Sequence, residues 1–99
     1  MRNYLALNHI FGALADPTGR HIVELLCDGE ASVTFIAEPL PMSLATVTRR
    51  VQSLERSGLI RTHKIGRVRT CLLEPQALER LDEWVTYQRS RWQRSQSRA

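Results

Sequence analysis

The chain has 99 residues, of which 42% are hydrophobic and 24% charged, and its formal net charge is +4. This length predicts one small domain, and small domains often gain stability by forming oligomers. No apolar run reaches the roughly 18 residues of a membrane span, so no membrane span is predicted. No signal peptide is expected, because no basic stretch followed by an apolar region begins the chain. The two cysteines, Cys27 and Cys71, are too few for a disulfide framework, so we expect a cytoplasmic protein.

Positive charge is concentrated in the middle of the chain. Residues 1–42 carry two cationic and five acidic side chains, whereas residues 43–74 carry seven cationic and two acidic ones. Thirteen of the fourteen cationic residues are arginine, whose planar guanidinium suits phosphate and guanine. The total excess only hints at a nucleic-acid partner, but its location makes residues 43–74 the candidate binding region.

Residues 3–15 predict a first helix. Its apolar face carries Tyr4, Leu7, Ile10, Phe11 and Leu14. Asp16 and Pro17 end this helix and begin a second one, because aspartate caps helices well and proline suits the first helical position. The second helix is predicted to run to about Asp28, with Gly29 in the position after its end.

A short third helix, capped by Ser32, is predicted to stop at Pro39, because proline disfavours helical geometry in the preceding residue. A fourth helix is predicted over about residues 43–57, with Ser43 as its N-cap and Gly58 just past its end. One stripe at helical spacing is apolar and consists of Leu44, Val47, Val51 and Leu54. A second stripe is small, polar or cationic and consists of Ala45, Thr48, Arg49 and Gln52.

A helix that is packed on one side and polar and cationic on the other resembles a DNA recognition helix. The DNA contacts predicted from this helix are Ser43, Ala45, Thr46, Thr48, Arg49, Arg50, Gln52 and Ser53. Arginine to guanine is the commonest specific contact, and hydroxyls near the helix start would donate to phosphate. The alternative is an amphipathic surface helix whose charged face is merely solvated.

The pattern changes after the fourth helix. Residues 59–73 predict two β-strands joined at Gly66, because β-branched residues are frequent and glycine suits the turn. Lys64, Arg67 and Arg69 cluster around the tip of this hairpin. A basic hairpin after a recognition helix is typical of the wing of a winged helix, so we predict that these three side chains contact DNA. A plain hairpin with solubilising arginines is the alternative.

A last helix is predicted over about residues 75–94, followed by a polar tail that is predicted to fray. This helix and the first one have more apolar and aromatic surface than terminal helices of a small domain need. We predict that they form the interface of a homodimer; packing only on their own domain is the alternative. The predicted interface residues are Tyr4, Leu7, Phe11, Leu78, Leu81, Trp84, Val85, Gln88 and Trp92.

Three stretches together resemble the ArsR-type winged helix-turn-helix transcriptional repressors of bacteria. They are ALADPTGRHIVELL at 13–26, PMSLATVTRRVQSLERSGLI at 41–60 and GRVRTCLLEP at 66–75. The resemblance extends over nearly the whole chain. It implies a mainly α fold of about five helices plus a two-stranded wing. It also implies a homodimer that is held by its first and last helices and binds operator DNA.

The resemblance places Thr48, Arg49 and Arg50 at the Ser-Lys-His positions of the common family recognition helix. Arg50 therefore stands where histidine is usual, and Val51 stands where leucine is usual. The first difference makes the operator sequence of other members a poor guide, because position 50 is one of the predicted base contacts.

The metal sites of many such repressors are not matched. The third helix, SVTFIAEP, lacks a Cys-x-Cys pair, and the last helix has Asp82 and Glu83 but no histidine. Cys27 and Cys71 are far apart and are each predicted to be a buried small hydrophobe. The three histidines, His9, His21 and His63, are isolated. We expect no metal site and no cofactor, and the sequence does not identify a small-molecule effector.

The chain has no catalytic motif of the kinds that sequence reveals most readily, such as a glycine-rich phosphate loop, Gly-x-Ser-x-Gly or His-Glu-x-x-His. An enzyme is therefore not expected. The predicted function is that of a sequence-specific DNA-binding regulator, a homodimeric repressor that reads an inverted repeat. The competing function is a winged-helix module that docks a partner protein and has no role on DNA. The basic residues coincide with the predicted recognition helix and hairpin, which favours DNA.

Overall fold

Five helices and three strands make up the described part of the chain, residues 4–97, in the computed structural model. In chain order they are α1 (Tyr4–Ala15), α2 (Pro17–Leu26), β1 (Ala31–Ser32), α3 (Val33–Ala37), α4 (Leu44–Arg56), β2 (Ile60–Ile65), β3 (Val68–Leu73) and α5 (Pro75–Ser97). The mainly α winged helix-turn-helix architecture is thus confirmed, with β2 and β3 as the wing. Within these residues no helix combines the length and the apolar character that a membrane span requires.

A third strand, β1, was not predicted. It pairs antiparallel with β3, with Ala31 opposite Cys71 and Ser32 opposite Thr70, so the strand order is β1-β3-β2. A strand of two residues is too short to show an alternating pattern in the sequence. Its pairing fixes the start of α3 against the base of the wing.

Two helix ends differ from the prediction. The second helix ends at Leu26 rather than near Asp28. The last helix continues to Ser97, so the segment predicted to fray is helical as far as that residue. The hydroxyl of Ser97 donates to the carbonyl of Gln93 at 3.1 Å, and the segment holds no proline or glycine that would stop a helix.

The corner between α1 and α2 is closed by side-chain hydrogen bonds. The carboxylate of Asp16 accepts from the Gly19 amide at 3.0 Å, as an N-cap does. Arg20 donates to the carbonyls of Leu14 at 2.6 Å and Ala15 at 3.3 Å, which satisfies free acceptors at the end of α1. These contacts set the angle between the two helices.

Both ends of α4 have the predicted caps. The Ser43 hydroxyl accepts from the Thr46 amide at 3.1 Å. At the other end the Gly58 amide donates to the Glu55 carbonyl and the Leu59 amide donates to the Leu54 carbonyl. This Schellman arrangement requires the left-handed φ of +83° that Gly58 adopts. The chain therefore leaves α4 at a fixed angle and enters the wing directly.

The core lies between α1, α2, α3, α4 and the base of the wing. Its fully buried side chains are Ile10, Ile22, Ile36, Val47, Val51, Leu54, Leu59, Ile60 and Cys71. Two predictions about it were wrong. Leu44 is 54% exposed, because it is the first residue of α4 and lies at the edge of the apolar stripe. Cys27 is exposed, because α2 ends one residue earlier and its packed face ends there too.

The molecule is elongated, with extents of 59 × 25 × 23 Å and a radius of gyration of 16.2 Å. A compact chain of this length would have a radius of gyration of about 13 Å. The 23-residue α5 accounts for the elongation, because a helix of that length is about 35 Å long. Among its described residues only Ala77, near its start, is buried. The rest of α5 therefore extends with little cover from its own chain.

Candidate nucleic-acid interface

The exposed face of α4 is polar and cationic, as the sequence predicted. Val47, Val51 and Leu54 are buried, and the side chains on the opposite side of the helix are exposed. These are Ala45, Arg49, Gln52 and Arg56. Arg56 was missed as a candidate, although it lies seven residues after Arg49 and therefore on the same face. The face thus presents two arginines and one amide to solvent.

The start of α4 is a connected group of hydrogen-bonding side chains. The hydroxyls of Ser43 and Thr46 lie 2.9 Å apart, and Arg49 donates from Nη2 to the Thr46 hydroxyl at 3.3 Å. The N-terminus of a helix also carries partial positive charge and free backbone N–H groups. A guanidinium and two hydroxyls at such a site suit a phosphate oxygen.

One flank of α4 is joined to the wing. The carboxylate of Glu55 accepts from the backbone amide of Thr62 at 3.2 Å and from its hydroxyl at 2.9 Å. Arg69 in turn donates to the Thr62 hydroxyl at 2.8 Å. Gln52 lies about one turn before Glu55 and Thr48 about two turns before it. Both are therefore on the flank of α4 that is directed toward the wing.

The wing carries its cations on the same side as this connection. Lys64 and Arg69 are directly opposite each other across β2 and β3, and both are exposed. Like charges in that position repel each other and destabilise the strand pair. A bound anion would relieve the repulsion. Arg67 is exposed at the turn, next to Gly66 with its φ of +62°.

The other flank of α4 faces α1 and α2. Arg50 lies there, with its Nε 3.6 Å from Oδ2 of Asp16. Arg50 and Ser53 also line a small cavity together with Gly12 and Gly19. Arg50 follows the buried Val47 by three residues, which places it at the edge of the packed side of the helix, with 47% of its side chain exposed. The sequence grouped Arg50 and Ser53 with the DNA contacts; both are exposed, and they lie on the flank of α4 beside α1 and α2 rather than opposite its buried side chains.

The residues predicted for a dimer interface fall into two groups. Leu7, Leu78, Leu81 and Gln88 are half-buried, and Leu78 and Leu81 pack against the core of their own chain. Phe11, Trp84, Val85 and Trp92 are 40–64% exposed. Phe11 and Trp84 meet edge to face, with ring centroids 5.4 Å apart, which joins α1 to α5. The side chain of Tyr4 lies outside the described residues.

The thiols do not form a site with each other or with the histidines. No group of three metal-binding side chains occurs within residues 4–97. Burial raises the pKa of the Cys71 thiol to about 11; the Glu55 carboxylate also raises it, and Arg69 lowers it. The thiol is therefore protonated at neutral pH and is a poor nucleophile and a poor metal ligand. The prediction that Cys71 is a buried small hydrophobe is confirmed.

A family model for a helix-turn-helix domain matches residues 14–63, which run from the end of α1 into β2. Transcriptional repressor SdpR of Bacillus subtilis is 28% identical over 79 residues, which are 80% of this chain and 88% of SdpR. The match to the family model includes α2, α3 and α4, the elements that hold the polar face described above.

Solved structures extend the similarity to the whole fold. The crystal structure of the ArsR family transcriptional regulator RHA00566 has a TM-score of 0.87 and 43% identity, covering 89% of this chain and 97% of that chain. The solution structure of Mb0332 from Mycobacterium bovis, a homodimeric winged helix-turn-helix DNA-binding domain, has a TM-score of 0.69 and 25% identity. It covers 90% of this chain and 85% of that chain. By its sequence and its fold, the chain belongs to the ArsR family of winged helix-turn-helix transcriptional regulators.

Proposed function

We propose that the chain is a homodimeric repressor that binds an inverted repeat in double-stranded DNA. The observation that carries the proposal is the exposed face of α4, with Arg49 and Gln52 on it. The wing occupies one flank of this face, and α1 and α2 occupy the other. A helix that is presented between two supporting flanks has only its exposed face free to enter a major groove.

The side chains divide into two kinds of contact. Arg49, Gln52, Thr48 and Ala45 face outward or toward the wing and would contact base edges, with arginine as the strongest reader of guanine. A second group would contact phosphate and set the register of the protein on the duplex. That group consists of Ser43, Thr46, Lys64, Arg67 and Arg69.

Arg50 and Ser53 have a different role in this proposal. Arg50 is held by Asp16 on the flank of α4, where it fixes the orientation of the helix relative to α2. Ser53 lines the cavity beside it. Neither contacts a base edge, so the position where the family commonly has histidine acts by positioning the helix.

Two observations support the dimer: exposed apolar side chains on α5, and the homodimeric state of the structurally similar protein Mb0332. The exposed aromatic and apolar side chains of α5, Trp84, Val85 and Trp92, have little cover from their own chain. Covering them with a second copy would withdraw this area from water. Mb0332 is a homodimer, and SdpR is a repressor. A repressor of this kind would act on DNA in the cytoplasm.

Two measurements test the proposal. A duplex is first selected from random sequences by the full-length chain, and its affinity is then measured by gel shift at several salt concentrations. We expect an inverted repeat and an affinity that falls steeply with salt, because counterions are released from neutralised phosphates. A chain that selects no sequence and shows no salt-dependent binding would instead be the protein-docking module considered above.

A further inference from the structure

The tip of the wing carries two adjacent aliphatic side chains that are open to solvent. Ile65 and Val68 are cross-strand partners on either side of the turn, and they are 74% and 54% exposed. Neither side chain belongs to the core, which ends at the base of the wing with Ile60 and Cys71. A pair of aliphatic side chains at the outermost point of a hairpin is a candidate contact surface.

The two faces of the wing tip differ in chemistry. Successive residues of a strand point to opposite faces, so Ile65 and Val68 lie on the face opposite to Lys64 and Arg69. Arg67 occupies the turn between the two strands. The tip is therefore cationic on one face and at its end, and aliphatic on the other face.

The widths of the two DNA grooves determine how much of a hairpin each groove can admit. A two-stranded ribbon fits a major groove about 12 Å wide, but a minor groove about 6 Å wide admits only a narrow tip. Gly66, one of the two turn residues, has no side chain, which keeps the tip narrow on its side of the turn. Lys64, Arg67 and Arg69 would be attracted to the phosphates on the two edges of the groove.

We propose that Ile65 and Val68 form an aliphatic wedge that contacts the walls of the minor groove beside the recognition site, widens the groove and bends the duplex. This proposal rests on the DNA-binding function proposed above. Apolar side chains that enter the minor groove are known to bend DNA when they insert between base steps and partly unstack them. The wedge selects deformable pyrimidine–purine steps at positions where no base receives a hydrogen bond.

The test uses the full-length chain, the duplex that it selects and three wing variants. Ile65→Thr and Val68→Thr are combined, because threonine keeps the β-branched shape that suits a strand. Its hydroxyl replaces the ethyl group of isoleucine and one methyl group of valine. Val68→Ile is the matched control that keeps the tip apolar. Arg67→Gln removes a charge but no aliphatic surface. Affinity is measured over a salt series, and bending is measured by energy transfer between dyes on the two duplex ends.

We expect the double threonine variant to bind the duplex about five- to tenfold more weakly, because less aliphatic surface is then buried against the DNA. It should also bend the duplex less, while the dependence of affinity on salt stays that of the unchanged chain, since no phosphate contact is lost. Val68→Ile should retain affinity and bending. Arg67→Gln should lower the salt dependence. Thermal unfolding of the free variants checks that all are folded, which substitutions at exposed positions should permit.

Two results would overturn the wedge while leaving the DNA-binding function intact. One is a double threonine variant with unchanged affinity and bend angle. The other is a loss of affinity with a reduced salt dependence, because Ile65 and Val68 would then act only by holding the neighbouring cations. An unchanged chain that binds no duplex would overturn the wedge and the proposed function together.

Discussion

The guanidinium of Arg50 and the carboxylate of Asp16 form an ion pair, with Nε 3.6 Å from Oδ2, that joins the middle of α4 to the N-cap of α2. The same carboxylate oxygen accepts from the Gly19 amide and so caps α2. One acidic side chain thus holds both the start of a scaffold helix and the flank of the proposed recognition helix. This contact distinguishes two neighbouring arginines of α4, since Arg49 donates instead to the Thr46 hydroxyl at the start of the helix.

The Asp16 and Arg50 contributions to stability should be unequal. We expect Asp16→Ala to lower the free energy of unfolding by about 1 kcal/mol, because the N-cap of α2 is lost. Arg50→Ala should lower it by less than about 1 kcal/mol, because the pair is open to solvent. Urea unfolding of the single and double variants gives the coupling between them. A coupling indistinguishable from zero would show that the ion pair does not hold α4.

Arg49 should contribute more to the affinity for DNA than Arg50 or Arg56, the other two arginines of α4. We expect Arg49→Ala to weaken binding to the selected duplex by about 1–3 kcal/mol and to relax the preference for one base pair. Arg56→Ala is the matched control, because Arg56 is on the same exposed face two turns later. Arg50→Ala should have a smaller effect than Arg49→Ala. A folded Arg50→Ala protein with the larger loss would instead place Arg50 at a base.

Arg67 should contribute affinity without sequence preference. Arg67→Ala should weaken binding to selected and unrelated duplexes by the same factor, because a phosphate contact carries no sequence information. The slope of log affinity against log salt should decrease in magnitude by about 1. Gel shifts of both duplexes over a salt series measure these two quantities. A loss confined to the selected duplex would contradict a phosphate contact.

Trp92 should stabilise the dimer and contribute little to the single chain. Its side chain is 64% exposed, so Trp92→Ala should change unfolding of the monomer little and raise the dissociation constant of the dimer by at least about tenfold. Tyr87→Ala is the control, because Tyr87 is similarly exposed but is not among the predicted interface residues. Sedimentation equilibrium measures both. Equal effects of the two substitutions would argue against the proposed interface.

The two thiols should differ in reactivity, and one should make stability depend on alkaline pH. At pH 8 the exposed Cys27 should react with a disulfide reagent in the folded protein, and Cys71 only after unfolding. The Cys71 pKa is raised from 9.0 to about 11 in the folded state. Its contribution to stability is therefore complete below pH 9 and is lost as pH rises toward 11. Cys71→Ala should reduce that loss when unfolding is measured across this range.

Local patterns were sufficient for most of the elements. Ser43 and Gly58 marked the ends of α4 because capping depends on residues within one turn of the helix end. The wing followed from β-branched residues on both sides of Gly66. The strand β1 gave no such signal, because two residues become a strand only when β3 lies beside them.

The sequence by itself determined that the chain has a capped amphipathic helix followed by a basic hairpin, since helical spacing and turn chemistry are local properties. It also placed Arg49 and Gln52 on the polar face. Only the tertiary structure decided that Arg50 turns to Asp16 and that Thr62 joins Glu55 to the wing. The physical reason is that helical spacing gives the direction of a side chain around its own helix, whereas its partner comes from an element elsewhere in the chain.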